Sequence, residues 1–313
     1  MRGKTALVTG STVGLGLAIS SELAAQGCNV IMTGLGDPNE IEARRAAIEK
    51  SCRVRVSYIS ADLQHPAEIS RLVEEGYKTF GTIDILVNNA VWRRTATGES
   101  GRASPTRPLS DRYIENLPPA QWDLELAINL SAPFHLIRLT IEGMRRSNWG
   151  RIINISSTYG IGAVPGAAGY VTTKTAILGL TRAVAMETRG TNITCNALCP
   201  SAVLGETTTR LINEIVAAQG VSYEAATEIY LAARGRERFV TTVPAMVIFL
   251  CAETGKDMTG AVIPMDLGTT AGLMGSKLTG NFNVARPLPL YRWGDLGRSL
   301  RSCCGSASRA PVS

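Results

Sequence analysis

The chain has 313 residues, a formal net charge of +6 and 45% hydrophobic residues. This composition is typical of a protein with a packed core and excludes a disordered, collagen-like or coiled-coil chain. The positive charge is concentrated at residues 93–112, which carry +3, and 269–313, which carry +5. Because the rest of the chain carries −2, no nucleic-acid surface is expected within the fold. No apolar run approaches the roughly 20 residues of a membrane-spanning helix.

The cysteines and histidines of the sequence indicate the redox state of the cellular compartment and whether a metal site is expected. The seven cysteines show no paired, metal-like spacing, and their odd number argues against a disulfide framework. No secretory-signal pattern precedes the first strand-like run, so we expect a reducing, cytoplasmic setting. His65 and His135 are the only histidines of the sequence, and no metal site is expected.

Strand-like and helical patterns alternate over the first 265 residues. Strands are predicted at residues 5–9, 29–33, 53–59, 83–88, 151–156, 192–198 and 261–265. Helices are predicted at residues 15–26, 40–50, 66–80, 119–145, 170–189, 207–234 (as one helix or two) and 242–252. This alternation is typical of βαβ units. It predicts one α/β domain over residues 1–268, with a doubly wound, parallel, seven-stranded sheet of Rossmann type and helices on both faces.

Two segments interrupt the alternation. Residues 93–112 are rich in Arg, Ser, Thr, Gly and Pro, which predicts a loop insertion. Residues 269–313 are rich in Gly, Ser and Pro, which predicts a basic, mostly irregular C-terminal extension.

A glycine-rich turn links the first strand to the first helix. Gly10 permits a tight turn, and Gly14 and Gly16 let the backbone approach a diphosphate. The N-terminus of the following helix offers unpaired N–H groups and a partial positive charge to that anion. An ordinary βα turn could also contain these glycines, but the strand before and the helix after favour nucleotide binding.

Further polar residues follow other strands. Asp62 could accept a hydrogen bond from an adenine amino group, or it could cap a helix. Asn88, Asn89 and Ala90 end the fourth strand, at the sheet edge where open α/β folds bind ligands. The alternative for the asparagines is an ordinary turn at the end of a strand.

The end of the second strand bears on which dinucleotide is bound. An acidic residue there would hold the ribose hydroxyls of NAD, and basic residues would hold the 2′-phosphate of NADP. The sequence Thr33-Gly34-Leu35 has neither, and Val13 supplies no cation. The lack of a partner for the phosphate favours NAD over NADP.

Tyr170 and Lys174 form a candidate proton-transfer pair. They are four residues apart at the start of a predicted helix and therefore share one face. A free phenol titrates at about pH 10, and a nearby cation lowers that pKa. The pair could then exchange a proton with an alcohol oxygen. The alternative is an exposed helical pair with a small effect on stability.

Two polar residues could complete this site. Ser157 lies just after a predicted strand and 13 residues before Tyr170, where it could bind the substrate oxygen. Asn129 lies among apolar residues of the predicted helix 119–145. It could be a hydrogen-bonded core amide or part of a proton relay to Lys174.

In order and approximate spacing, these motifs resemble the short-chain dehydrogenase/reductase family over about residues 4–268. The matching positions are Thr9-Gly10-x3-Gly14-x-Gly16, Asp62, Asn88-Asn89-Ala90, Asn129, Ser157 and Tyr170-x3-Lys174. Within the family, residues 33–37, 150–155 and 192–200 are similar to the bacterial 3-hydroxybutyrate dehydrogenases.

The resemblance implies an NAD(P)-dependent homodimer or homotetramer that interconverts a secondary alcohol and a ketone. It implies that Tyr170 is the acid/base and that Ser157 polarises the carbonyl. Lys174 would hold the nicotinamide ribose, and Asn129 would support a water relay. The implied cofactor-binding residues are Gly10, Thr12, Gly14, Leu15, Gly16, Leu35, Asp62, Leu63, Asn89, Ala90, Tyr170, Lys174, Pro200 and Val203.

Three departures from the family pattern concern glycines. Val91 ends the usual Asn-Asn-Ala-Gly, and Ser201 replaces the glycine of the usual Pro-Gly. Leu267 replaces a glycine of the usual Asp-Gly-Gly near the last strand. A valine beside the nicotinamide would add bulk and restrict the backbone.

The substrate side also departs from the 3-hydroxybutyrate dehydrogenases. Their carboxylate-binding lysine, histidine and tryptophan correspond here to Ala167, Tyr159 and Ala202. We expect Arg93, or another arginine of the insertion, to bind a substrate carboxylate instead. The predicted substrate contacts are Arg93, Ser157, Tyr159 and Tyr170.

The sequence leaves alternatives for the function. The first expectation is a 3-hydroxybutyrate dehydrogenase-like enzyme, with residues 207–234 as a mobile lid. A 3-oxoacyl thioester reductase or another carbonyl reductase of the same family is the nearest alternative. A catalytically impaired dinucleotide-binding regulator is an alternative of another class, suggested by Val91 and the two added segments.

Overall fold

The computed structural model describes residues 1–93, 113–233 and 236–271, apart from the side chains of residues 206 and 207. In this part of the chain, seven parallel strands form one sheet in the order β3-β2-β1-β4-β5-β6-β7. The strands are β1 (Thr5–Thr9), β2 (Asn29–Thr33), β3 (Val56–Tyr58), β4 (Ile85–Asn88), β5 (Gly150–Ile155), β6 (Ile193–Pro200) and β7 (Val262–Met265). The strand order reverses between β1 and β4, as in a doubly wound sheet.

The central strands are apolar because both of their faces are covered. Every residue of β1, β5 and β6 is buried, and parallel strands of this kind form nearly continuous hydrophobic runs. Thr5 of β1 lies opposite Asn29 of β2, and Ala6 lies opposite Ile85 of β4. This parallel register brings the carboxyl ends of the three strands to one edge of the sheet.

Helices cover both faces of this sheet. They are α1 (Gly14–Ala25), α2 (Pro38–Cys52), α3 (Pro66–Phe80), α4 (Pro119–Leu126), α5 (Ala132–Ser147), α6 (Ala168–Glu187), α7 (Glu206–Gln219), α8 (Tyr223–Ala232) and α9 (Val243–Cys251). Ala6 and Val8 of β1 pack in one core with α1 and α9, whereas Leu7 packs in a second core with α3 and α5. The predicted α/β fold is confirmed.

The segment predicted as a helix over residues 119–145 is helical throughout, but it contains a π-helical turn that the sequence did not predict. Helix α4 ends at Leu126, a π-helical turn spans Ala127–Ser131, and α5 begins at Ala132. Such a turn holds more residues than an α-helical turn and is frequent at functional sites. The π-turn contains Asn129, whose amide is bound to the backbone of another segment.

The predicted helical region 207–234 consists of two helices. Helix α7 ends before Gly220, which has φ 65°, and glycine is favoured in this left-handed position. Ser222 caps α8 by accepting a hydrogen bond from the Ala225 N–H at 3.2 Å. Whether the two helices act as a lid stays a prediction.

Most of the two added segments lies outside the described residues, at 94–112 and 272–313. The predicted loop insertion, the irregular extension and the domain boundary at residue 268 therefore stay predictions. Within the described ranges, no helix combines the length and the hydrophobicity needed to traverse a lipid bilayer.

Candidate active site

A cavity of about 740 Å³ opens at the carboxyl edge of the sheet, beside the reversal between β1 and β4. Open α/β sheets bind their ligands at this position. Its wall includes the predicted residues Gly10, Thr12, Gly14, Leu15, Gly16, Leu35, Asp62, Leu63, Asn89, Ala90, Ser157, Tyr170, Lys174, Pro200 and Val203. Asn129, Tyr159 and Arg93 are not among the described residues that line this cavity.

The glycine turn leaves the start of α1 open toward the cavity. Gly10 and Gly14 have φ values of 60° and 56°, and a Cβ on Gly14 would meet no atom within 4 Å. Val13 precedes the first turn of α1, and its apolar side chain cannot cap the N–H groups there. Such groups bind phosphates well, and the turn therefore fits a diphosphate.

Asn89 holds this turn in place from β4. Its Nδ2 donates to the carbonyl oxygens of Thr9 at 2.9 Å and Gly10 at 3.1 Å. The Thr9 hydroxyl accepts hydrogen bonds from the N–H groups of Asn89 and Ala90, each at 3.0 Å. A Cβ on Gly16 would collide with the Gly10 carbonyl and the Asn89 amide. The turn and the end of β4 therefore form one closely packed unit.

The adenosine side of the cavity lies between the turn and the end of β2. The Thr12 hydroxyl donates to the Leu35 carbonyl at 3.2 Å, and Leu35 exposes 63% of its surface. Asp62 accepts hydrogen bonds from the backbone and the side-chain amide of Gln64, at 3.0 and 3.2 Å. Asp62 thus orders the loop after β3 and also borders the cavity.

A cation near this side of the cavity was not predicted from the sequence. Arg44 of α2 donates from one terminal nitrogen to the Thr12 carbonyl at 3.0 Å and from the other to the Glu40 carboxylate at 3.0 Å. Arg44 lies eleven residues beyond the end of β2, whereas the sequence prediction concerned the residues directly after that strand and Val13. The i, i+4 spacing of Glu40 and Arg44 could have indicated that the two side chains pair on one face of a helix.

Ser157, Tyr170 and Lys174 lie together on the wall of the cavity. Ser157 follows β5, and its hydroxyl accepts a hydrogen bond from the Tyr159 N–H at 3.1 Å. Tyr170 and Lys174 both lie in the first two turns of α6. The phenol and the serine hydroxyl can both reach a carbonyl or alcohol oxygen placed between them.

The structure corrects both the direction and the source of the expected pKa shift at Tyr170. The pKa of this phenol is raised rather than lowered, because the effect of burial exceeds the lowering by the nearby Arg93 guanidinium and by a hydrogen bond with Ser157. The Lys174 ammonium lies 5.8 Å from the centre of the phenol ring and donates to the Ile155 carbonyl at 2.7 Å. The cation that tunes Tyr170 here is thus Arg93, because Lys174 is directed to the end of β5.

The pKa of Lys174 is also strongly shifted. Burial lowers the pKa of its ammonium from 10.5 to about 8, because the interior solvates a charge poorly. Only 4% of the residue is exposed, and Cys199 of β6 partly counteracts the burial effect. Lys174 can therefore exchange its proton near physiological pH.

This shift predicts a pH-dependent contribution of Lys174 to stability. The folded protein holds the Lys174 proton less tightly than the unfolded chain, so Lys174 favours folding fully above pH 10.5 and loses this contribution as the pH falls to about 8. Relative to Lys174→Met, the wild-type free energy of unfolding should rise by about 2 to 3 kcal/mol over that range. Chemical denaturation checks this, with Lys78→Met as an exposed control. Parallel wild-type and Lys174→Met curves would contradict the shift.

Asn129 is a buried, hydrogen-bonded amide. Its Oδ1 accepts from the Trp92 N–H at 2.8 Å, and its Nδ2 donates to the Trp92 carbonyl at 2.8 Å and to the Thr173 hydroxyl at 3.3 Å. These bonds match the core-amide alternative, and the role of Asn129 in a water relay stays a prediction. They also fix the backbone immediately before Arg93.

Arg93 and Tyr159 lie beside Tyr170 on the substrate side. The Arg93 guanidinium is 4.9 Å from the centre of the Tyr170 ring and 5.4 Å from that of Tyr159. The two rings meet edge to face, with their centres 6.2 Å apart. Arg93 and Tyr170 also line a small hollow with Glu125. A cation and a proton-transfer group thus lie side by side.

Glu125, which exposes only 3% of its surface, was also not predicted from the sequence. Its carboxylate lies against Gly169, where a Cβ would collide with it. The charge of Glu125 contributes to the raised pKa of Tyr170. The feature of the sequence that could have indicated its burial is the position of Glu125 between two leucines of α4.

The replaced glycines differ in their effect on the backbone. Val91 and Ser201 border the cavity, and neither has a positive φ. Valine at position 91 therefore causes no strain of this type, and it adds bulk at the cavity wall, where 52% of its surface is exposed. Leu267 adopts φ 57°, a conformation that glycine tolerates better.

The doubly wound sheet, the open glycine turn and the Ser-Tyr-Lys arrangement define a dinucleotide-dependent oxidoreductase. A family model described as short chain dehydrogenase matches residues 4–215. The chain belongs to the short-chain dehydrogenase family, and it is an oxidoreductase that binds a nicotinamide dinucleotide.

Individual proteins show the same relationship. The chain is 38% identical to a D-beta-hydroxybutyrate dehydrogenase of Cupriavidus necator, over 87% of this chain and 99% of that protein. It is 31% identical to the 3-oxoacyl-(acyl-carrier-protein) reductase FabG of Staphylococcus aureus, over 85% of this chain and 97% of that protein. The fold is similar to that of a single-substitution variant of the actinorhodin polyketide ketoreductase solved with NADPH, with a TM-score of 0.71, 27% identity and coverage of 85% and 96%.

Proposed function

We propose that this enzyme is an NAD-dependent dehydrogenase of short 3-hydroxy acids, with 3-hydroxybutyrate as the model substrate. The observation that carries the proposal is the position of the Arg93 guanidinium, 4.9 Å from the centre of the Tyr170 ring. One small substrate could then place its hydroxyl group at Tyr170 and its carboxylate at Arg93. The similarity to the hydroxybutyrate dehydrogenase of Cupriavidus necator supports this choice.

The cavity fits the dinucleotide that the proposal requires. The diphosphate would bind at Gly10, Gly14 and the start of α1, where open N–H groups are available. Asp62 and Leu63 would contact the adenine, and Thr12 and Leu35 its ribose. The remaining proposed contacts are Leu15, Gly16, Asn89, Ala90, Pro200 and Val203, with Tyr170 and Lys174 beside the nicotinamide ribose.

The proposed roles of the reactive residues follow from their chemistry. In the oxidation direction, Tyr170 in its deprotonated form removes the hydroxyl proton, and the hydrogen on the carbinol carbon leaves with the C–H electron pair as hydride. When bound, the nicotinamide ring supplies the hydride acceptor. Ser157 donates a hydrogen bond to the reacting oxygen. Lys174 holds ribose hydroxyls, and Asn129 fixes the segment that precedes Arg93.

Arg93 would bind the substrate carboxylate in place of the residues lost at 159, 167 and 202. A guanidinium matches a carboxylate with two parallel hydrogen bonds. Arg93 is exposed, so its side chain can meet a small acid at the mouth of the site. The adjacent Tyr159 ring would limit the size of the substrate.

Arg93→Gln tests this role. We expect the KM for 3-hydroxybutyrate to rise about tenfold or more, because a charge-assisted hydrogen bond is lost. The KM for the uncharged methyl ester should stay within about twofold. Steady-state NAD reduction with both substrates measures the effect, and Arg182→Gln on the exposed face of α6 is a matched control. An unchanged KM for the acid would remove Arg93 from substrate binding.

A 3-oxoacyl thioester reductase is the second candidate. The similarity to the FabG reductase of Staphylococcus aureus favours it, as does the small Ala167 in place of a carboxylate-binding lysine. The wild-type enzyme with a neutral 3-oxoacyl thioester distinguishes the candidates. Faster turnover of the thioester than of acetoacetate, with no dependence on Arg93, would favour the thioester reductase.

Several finer assignments belong to the same proposal. We infer NAD as the preferred dinucleotide, a homodimer or homotetramer as the assembly, and the cytoplasm as the location. The alternative of a non-catalytic regulator predicts dinucleotide binding without turnover of any carbonyl compound. Because Ser157, Tyr170 and Lys174 share one wall of the cavity, we favour an active enzyme.

A further inference from the structure

Helix α2 carries a charged pair toward the adenosine side of the cavity. Asp37 caps this helix by accepting hydrogen bonds from the N–H groups of Asn39 at 2.9 Å and Glu40 at 3.0 Å. The cap sets the start of the helix, and Glu40 and Arg44 then lie one turn apart on the same face. The Arg44 side chain reaches from this face to the glycine turn.

The guanidinium of Arg44 connects the turn with the carboxylate of Glu40. It donates at 3.0 Å to the Thr12 carbonyl and at 3.0 Å to Glu40 Oε2. The Thr12 side chain in turn donates to the Leu35 carbonyl, just beyond the end of β2. A cation and an anion therefore lie next to the cavity wall where a dinucleotide-binding fold holds the adenosine ribose.

The two charges would act in opposite ways on a ribose 2′-phosphate. A guanidinium is well suited to bind a phosphate through two hydrogen bonds. Glu40 already accepts one of the Arg44 donors and would repel a dianionic phosphate. The side chains of Arg44 and Glu40 are 30% and 65% exposed, so solvent reduces these effects without abolishing them.

We propose that the Glu40–Arg44 pair selects the dinucleotide, with Glu40 shielding the Arg44 guanidinium from the 2′-phosphate of NADP. The inference rests on the proposed function only in requiring that the cavity binds a nicotinamide dinucleotide with its adenosine ribose beside Thr12 and Leu35. With Glu40 charged, the pair is neutral and NAD is preferred. Without that charge, the repulsion between Glu40 and the 2′-phosphate is lost.

Equilibrium binding of NADH and NADPH, followed by the fluorescence of the reduced nicotinamide, tests the pair independently of turnover. Wild-type protein should bind NADH more tightly than NADPH. Glu40→Gln should tighten NADPH binding by about three- to tenfold and leave NADH binding within about twofold. The double variant Glu40→Gln/Arg44→Gln should lose the gain, because the cation that receives the phosphate is then absent.

Glu42→Gln is the matched control. Glu42 is on the same helix and pairs with Arg45, at 2.8 Å from Glu42 Oε2 to the Arg45 Nε. Its loss removes the same charge and a similar ion pair, without touching Arg44. It should leave the ratio of NADH to NADPH affinity unchanged, which would assign the effect of Glu40 to its contact with Arg44.

Three results would overturn the inference alone, and a fourth would overturn it together with the proposed function. An equal gain in NADPH affinity for Glu40→Gln and Glu42→Gln would show that the change in net charge, and not the contact with Arg44, causes the gain. A gain that persists in the double variant would exclude Arg44 as the phosphate partner. Tighter wild-type binding of NADPH than of NADH would show that Glu40 does not shield Arg44. Failure of the wild-type protein to bind either dinucleotide would overturn the proposed function and this inference together.

Discussion

Tyr170→Phe is expected to lower kcat for both reaction directions by about three orders of magnitude, the size of a lost general acid/base. Phenylalanine keeps the ring that contacts Arg93 and Tyr159 but has no exchangeable proton. The affinity for NADH should stay within about threefold, because most proposed cofactor contacts lie elsewhere on the cavity wall. Single-turnover oxidation of NADH measures the chemical step, and fluorescence titration measures binding.

Tyr77→Phe is the control for this prediction. Tyr77 is also half-buried, and its hydroxyl donates to the Thr140 carbonyl between α3 and α5, away from the cavity. Loss of this hydroxyl should leave the hydride-transfer rate unchanged. If Tyr170→Phe retained a rate within about tenfold of wild type, another group would have to move the proton, and the proposed role of Tyr170 would be wrong.

Gly16→Ala is expected to abolish dinucleotide binding and to destabilise the fold. The added methyl group would collide with the Gly10 carbonyl and with Asn89 Nδ2, the two groups that hold the glycine turn against β4. Overpacking of this kind costs about 1 to 3 kcal/mol. We expect more than tenfold weaker NADH binding, because the turn must move away from its diphosphate-binding shape. Titration with NADH and thermal denaturation measure both effects.

Gly179→Ala makes the same chemical change in a different setting. Gly179 is exposed on α6, and an added Cβ would meet no atom within 4 Å. This variant should bind NADH normally and be slightly more stable, since alanine favours a helix over glycine by roughly 1 kcal/mol. Normal NADH affinity in Gly16→Ala would contradict the assignment of this turn to the diphosphate.

The strand and helix order was predictable because local patterns and the global fold agree. Buried parallel strands require apolar runs such as Thr5–Thr9, and the helices between them carry apolar faces. Helix α3 has the predicted bounds, Pro66–Phe80, because proline marks its start and Gly81, with φ 78°, marks its end. The π-turn at Ala127–Ser131 was not predictable, because no local sequence pattern marks it, and its Asn129 contacts the distant Trp92.

In the candidate site too, local patterns were predictable, and contacts between distant segments were not. The glycine turn and the Tyr170–Lys174 spacing are local patterns, so the sequence indicated them directly. The position of Arg93 over Tyr170 depends on how the segment after β4 meets α6, and the contact of Arg44 with Thr12 depends on how α2 packs against the turn. The sequence does not encode these distances in any local pattern. Electrostatic tuning of Tyr170 therefore had to be read from the structure.

Oxidation of NADH and NADPH by the wild-type protein, across a panel of carbonyl compounds, tests the central claim most directly. The panel contains acetoacetate, a neutral short ketone and a 3-oxoacyl thioester. We predict the highest kcat/KM for NADH with acetoacetate. Tight binding of NADH without oxidation by any of these compounds would contradict the claim.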